Sequence, residues 1–100
     1  MIYHITTQSA WEDAKKNGKY EAESLQKEGF IHMSQEHQIE GVLERYFQGK
    51  TDLVKLSVDE TKIIAGIKNE LSPSLQETFP HVYGAINLDA VVDVQYLVRV

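Results

Sequence analysis

FIHMSQEHQIEGVLERYFQG, residues 30–49, passes from the pattern of a buried strand to that of an amphipathic helix with no linker between them. Phe30, Ile31 and Met33 form the short apolar run of a strand. Beyond Ser34, the residues Ile39, Val42, Leu43, Tyr46 and Phe47 fall at i, i+3, i+4, i+7 and i+8, one apolar stripe on a helix over 35–48. Ser34 stands where a helix-capping hydroxyl is expected, and Gly49 where the helix should stop.

Strand signals surround this unit. Downstream, Leu53 to Val58 (LVKLSV) reads as a strand, Asp59-Glu60-Thr61 as a turn, and Ile63 to Ile67 as a further strand. Residues 68–80 (KNELSPSLQETFP) hold both prolines and read as a loop long enough to carry function. His81 to Ile86 returns to strand. In VVDVQYLVRV, residues 91–100, the side chains of Val92, Val94, Tyr96, Val98 and Val100 share one face of a half-buried antiparallel strand. Upstream, residues 2–6 (IYHIT) suit a first strand. Ser9-x-x-Glu12 has the capping-box pattern for a helix over 10–17, which Lys15, Lys16 and Gly18 should end. Tyr20 to Gly29 reads as a short strand and a turn of helix around Ser24 and Leu25. The sum is an α+β chain, a single domain over 1–100, with a mixed, largely antiparallel sheet of five to six strands and two main helices.

Composition narrows the chemistry. With 42% hydrophobic and 25% charged residues the chain has the make-up of a soluble globular protein. No apolar run approaches the ~20 residues of a membrane helix, and MIYHITTQ lacks the basic and apolar regions of a signal peptide, so a cytoplasmic setting is expected. The absence of cysteine excludes disulfides, thiolate nucleophiles and cysteine-held metals. A net charge of −5, with ten scattered basic residues, argues against extended nucleic acid as a partner. A single nucleotide-sized ligand remains compatible with it.

Three histidines precede a hydroxyl side chain by two residues: His4-x-Thr6, His32-x-Ser34 and His81-x-Tyr83. In a strand, such pairs face the same way, and three of them meeting would line one pocket. His4 and His32 each end a strand that enters a helix, where open N–H groups favour an anion. Imidazoles at a pocket suit proton transfer near neutral pH, against the alternative of satisfied structural residues. His37, off the apolar stripe, reads as solvated. Tyr83 either stacks on a planar ring or packs in the core, and Gly84 permits a close approach of backbone. Glu70 is either a catalytic carboxylate or an exposed loop acid. Convergence of His4, His32 and His81 on zinc, with water in the fourth position, is a rival arrangement. No Gly-x-Gly-x-x-Gly loop or Gly-x-Ser-x-Gly elbow is present.

Beyond these patterns, the chain resembles a family of small bacterial proteins, domain-of-unknown-function family 952. The resemblance is carried by Ile2-Tyr3-His4-Ile5-Thr6 with Trp11, by Ser24-Leu25, and by Glu28-Gly29-Phe30-Ile31-His32 with Ser34. Gln38, Asp52-Leu53-Val54 with Leu56, Phe79-Pro80-His81-Val82-Tyr83-Gly84 and Leu88-Asp89-Ala90-Val91 complete it. That family looks like a reduced ADP-ribosyltransferase fold, a split sheet that binds NAD in its cleft. The resemblance implies that His4 hydrogen-bonds a ribose hydroxyl, although Ile5 replaces the glycine usual after it. It also places Glu70 at an acidic position of the family pattern.

The leading expectation is therefore a nucleotide-type cleft for NAD or an ADP-ribose-like compound, serving a transferase or glycohydrolase. His4, Thr6, Ser34 and Tyr83 would bind, and His32, His81 and Glu70 would catalyse. The alternatives are a non-catalytic ligand-binding or interaction module and a three-histidine metal-dependent hydrolase.

Overall fold

Three small antiparallel sheets and three short helices make up the computed structural model, which describes residues 1–97. In chain order these are β1 (Ile2–Thr7), α1 (Gln8–Asn17), β2 (Lys19–Tyr20), α2 (Glu23–Glu28), β3 (Ile31–His32) and α3 (Ile39–Tyr46). Then follow β4 (Leu53–Val58), β5 (Gly66–Ser72), β6 (Glu77–Tyr83), β7 (Ile86–Asn87) and β8 (Val91–Leu97). Short 3₁₀ turns occupy Glu36–Gln38, Glu60–Lys62 and Leu88–Ala90.

The sheets run β1-β4-β8, β2-β7 and β3-β6-β5. The α+β class is as expected, but the single mixed sheet of five to six strands is replaced by eight strands in three sheets, with every strand pair among the described residues antiparallel. Three strands are two residues long, too short to leave a period in the sequence.

Register explains the core. Ile2 lies opposite Val58, His4 opposite Leu56 and Thr6 opposite Val54, so period-two alternation sends Ile2, Val54, Leu56 and Val58 to one face. There they pack with Trp11 and Ala14 of α1, Tyr20, Ile31, Met33, Val82, Ile86 and Ala90. The first and third sheets meet where Tyr3 and Ser34 exchange backbone hydrogen bonds of 2.8 and 2.7 Å, and Met33 N–H donates to Pro80 at 2.9 Å. The segment Ile31–Ser34 is thus tied to β1 on one side and β6 on the other.

Several expectations change. The presumed loop over 68–80 is a hairpin, β5 against β6, turning at residues 73–76, where the Gln76 N–H returns to the Ser72 carbonyl at 2.9 Å. Pro80 sits inside the central strand. Its carbonyl accepts from Met33 N–H, so its nitrogen faces the same side, and that pair keeps one bond and lacks only the return bond that proline cannot donate. Ile63 to Ala65, read as strand, precede β5, and Ile64 is exposed. Strand β6 ends at Tyr83, and Ile86 pairs instead with Tyr20. Gly84 does mark a close approach, since a Cβ there would lie 2.8 Å from that of Ala65.

The helix ends also differ. Thr7, not Ser9, caps α1, its Oγ1 accepting from Ala10 N–H at 3.1 Å, because β1 keeps Thr7 extended. The stop is as read: Gly18, at φ 82°, returns its N–H to Ala14. Ser34 is held in pairing with Tyr3 and does not cap. Gln35 occupies that position, its N–H donating to Gln38 Oε1 at 2.9 Å. The second helix is a 3₁₀ turn continued by α3, and it closes at Phe47 before reaching Gly49. In β8 a bulge pairs Val58 with Val91 and Ser57 with Asp93, skipping Val92. The expected apolar face breaks there: Val92 and Tyr96 are exposed while Val94 stays half-buried. Val98 and Val100 of that expected face lie outside the described residues. No described helix is long and apolar enough to cross a membrane.

Candidate functional site

The register of the third sheet builds the site. His32 lies directly opposite His81, and Lys68 opposite His81 on the far side, with Glu70 facing Phe79. Alternation then brings Phe30 and His32, Phe79, His81 and Tyr83, and Lys68 and Glu70 to one face. The two imidazoles meet edge to face at 5.2 Å between centroids. Phe30 stacks on His81 at 4.0 Å and 15°, and meets the His32 ring edge-on at 4.9 Å. Ser24 fixes the entry to this strand by donating its hydroxyl to the Phe30 carbonyl at 2.8 Å.

Each imidazole is held by a carboxylate. His81 Nδ1 lies 2.8 Å from Glu70 Oε1, and Tyr83 donates its hydroxyl to the same oxygen. A carboxylate only accepts, so the Nδ1 proton belongs to His81 and the neutral ring keeps its lone pair on Nε2, which has no protein partner among the described residues. The two donated hydrogen bonds, Tyr83 first and His81 second, hold the Glu70 carboxyl below its usual range. The same carboxylate pushes the Tyr83 phenol up. His32 Nε2 lies 2.7 Å from Glu28 Oε2. That pair spans the Gly29 turn, where Gly29 adopts φ 89° to end α2 and start the strand.

His4 has a different environment. Its Nδ1 is 2.6 Å from the His32 carbonyl and its Nε2 is 2.7 Å from the Tyr20 hydroxyl, which lies 3.0 Å from Thr6 Oγ1. Burial lowers its pKa to about 4, so the ring is neutral. The proton sits on Nδ1 against the carbonyl, and Nε2 takes the phenol proton. With one phenol proton available, the Thr6 hydroxyl must be the donor to the Tyr20 oxygen. Burial also raises the Tyr20 pKa. Both His4 nitrogens are thus engaged within the protein. The ring braces β1 against the His32 backbone.

A cavity of about 640 Å³ adjoins the cluster. Its polar lining comes from His4, Ser24, Glu28, His32, Ser34, Ser72 and His81. Phe30, Met33, Val42, Tyr46, Phe47, Leu71, Leu75 and Phe79 supply most of its apolar wall. The three histidines singled out from sequence therefore border one hollow, and Ser34 joins them. Thr6 is buried in the His4–Tyr20 chain and Tyr83 lies beyond Glu70; neither lines the cavity. Glu70 is no loop acid, because β5 carries it to His81. A zinc site on His4, His32 and His81 does not form: His4 has no free nitrogen, and among the described residues no group of three ligating side chains could hold a metal. Sequence reasoning passed over Tyr20, Glu28 and Phe30 as site residues. Glu28 and Phe30 stood in the Glu28–His32 motif, whereas nothing local marks Tyr20.

Comparison with known proteins agrees with the motif reading. The family model described as Protein of unknown function (DUF952) matches residues 5–94, and the chain belongs to that family. The crystal structure of protein CC0527 from Caulobacter crescentus is similar, with a TM-score of 0.84 and 30% identity over 93% of this chain and 82% of that one. The solution structure of CC0527 gives 0.83 at 30% identity, over 97% and 84%. No curated protein matches the chain.

Proposed function

We propose that the cavity binds a small heteroaromatic, nucleoside-like molecule, and that His81, held by Glu70, exchanges a proton with a hydroxyl of that ligand. The observation that carries this reading is the 2.8 Å bond from His81 Nδ1 to Glu70, which leaves Nε2 bare on a ring that borders the hollow. A carboxylate that fixes one tautomer and steadies the imidazolium suits a histidine to general acid–base catalysis. His32, 5.2 Å away on its own carboxylate, is a second proton-carrying group at the same end. The apolar remainder suits a planar ring of nucleoside size.

Of NAD, this reading fits the nicotinamide riboside fragment. The junction of two sheets at Tyr3 and Ser34, beside the cavity, is in keeping with the split-sheet cleft that the ADP-ribosyltransferase resemblance implies. His4 then serves by holding the His32 backbone. The test is titration of the ¹⁵N-labelled chain with adenosine, nicotinamide riboside and NAD while the histidine signals are followed. Saturable movement of His32 and His81 is expected, and Glu70→Gln should abolish any turnover while leaving binding. Indifference of both rings to all three compounds refutes the proposal.

A further inference from the structure

We infer that the cavity selects an uncharged or cationic heteroaromatic ligand, a nucleoside and not a nucleotide, and discriminates against the phosphorylated form. This rests on the reading of the cavity just given. Among the described residues, no lysine or arginine lines it. Glu28 does line it, and Glu70 lies one hydrogen bond beyond His81. The two cations on flanking residues are each set over a tyrosine: Lys68, opposite His81 in register, has Nζ 5.1 Å from the Tyr83 centroid, and Arg45, next to Tyr46 in sequence, has Cζ 5.9 Å from that ring.

Backbone donors offer a phosphate little more. The first N–H of the segment leading into α3, that of Gln35, is taken by Gln38 Oε1, and the amides of Met33 and Ser34 are spent on Pro80 and Tyr3. A phosphate dianion entering here would surrender hydration and face the carboxylates of Glu28, in the lining, and Glu70, beyond His81. The aromatic rings of Phe30, Phe47 and Phe79 offer the opposite preference, since they attract a planar ring and, through their quadrupoles, a pyridinium-type cation.

Calorimetry on the full chain at low ionic strength tests this with matched pairs: adenosine against adenosine 5′-monophosphate, and nicotinamide riboside against nicotinamide mononucleotide. The unphosphorylated member should bind about tenfold tighter in each pair. The gap should shrink in Glu28→Gln and in added salt. Arg45→Ala and Lys68→Ala should leave the ratio unchanged. Equal or tighter binding of the monophosphates, or loss of their binding in either cation variant, overturns the inference while the cavity reading stands. Failure of all four compounds to bind overturns both.

Discussion

Lowering the pH from about 7.5 to about 5 should destabilise the fold by roughly 2 kcal/mol through His4 alone. His4 is buried and neutral, with its pKa lowered from 6.5 to about 4 by burial. Above pH 6.5 neither the folded nor the unfolded chain protonates it, and stability does not depend on it. Between 6.5 and 4 the unfolded chain binds the proton and the folded one does not, so stability falls with pH. Below 4 the loss saturates near 2.5 pKa units, about 3 kcal/mol at ~1.36 kcal/mol per unit. Carboxylates held low, including Glu70, Glu23 and Asp59, act in a lower window, as the pH falls through the carboxylate range. Urea unfolding followed by the fluorescence of buried Trp11, in the wild type and in His4→Gln, isolates the contribution. The variant should be about 1–3 kcal/mol less stable at neutral pH, from imperfectly replaced hydrogen bonds, and its stability should decline less between pH 6.5 and 5. Parallel pH profiles for the two proteins would refute the assignment of a buried neutral imidazole.

Further outcomes follow from the same geometry. In Glu70→Gln the Tyr83 phenol, now raised by its bond to that carboxylate, should titrate closer to an ordinary tyrosine, as ¹³C-tyrosine NMR would show. Phe30→Ala should remove the ring-current shift on the His81 ring protons and cost about 1–3 kcal/mol in a denaturation curve. Thr7→Ala should lower stability by about 1 kcal/mol and Ser9→Ala by much less, measured the same way, because only Thr7 caps α1. Gly18→Ala should cost about 1 kcal/mol through its positive φ alone, since a Cβ there meets nothing within 4 Å.

The strand–helix passage at 30–49 was readable because its apolar spacing marks an amphipathic helix, although its stripe is only half-buried and Tyr46 is exposed. The histidine pairs were readable too, because period two is a property of any strand. The hairpin over residues 66–83 was not. Strand β5 is an edge with one polar face, so KNELS shows little alternation, and Pro80 ordinarily argues against a central strand. Its tolerance depends on its facing Met33 at the end of the short strand β3, where one bond from Met33 N–H suffices, a tertiary fact. Losing that hairpin hid the role of Glu70, whose reach to His81 follows from a register that a loop does not have. The His4 brace was hidden for another reason: its partner Tyr20 is sixteen residues away and belongs to another sheet. The bulge at Val92 likewise interrupts a clean alternation with no sequence marker.

The proton position on His81 bears most directly on the proposed chemistry. A long-range ¹H–¹⁵N correlation spectrum of the neutral imidazoles, assigned with His81→Gln, reads it without any ligand. The account predicts a protonated Nδ1 and a bare Nε2 on His81, lost as a fixed preference in Glu70→Gln. A proton on Nε2 in the wild type would contradict it.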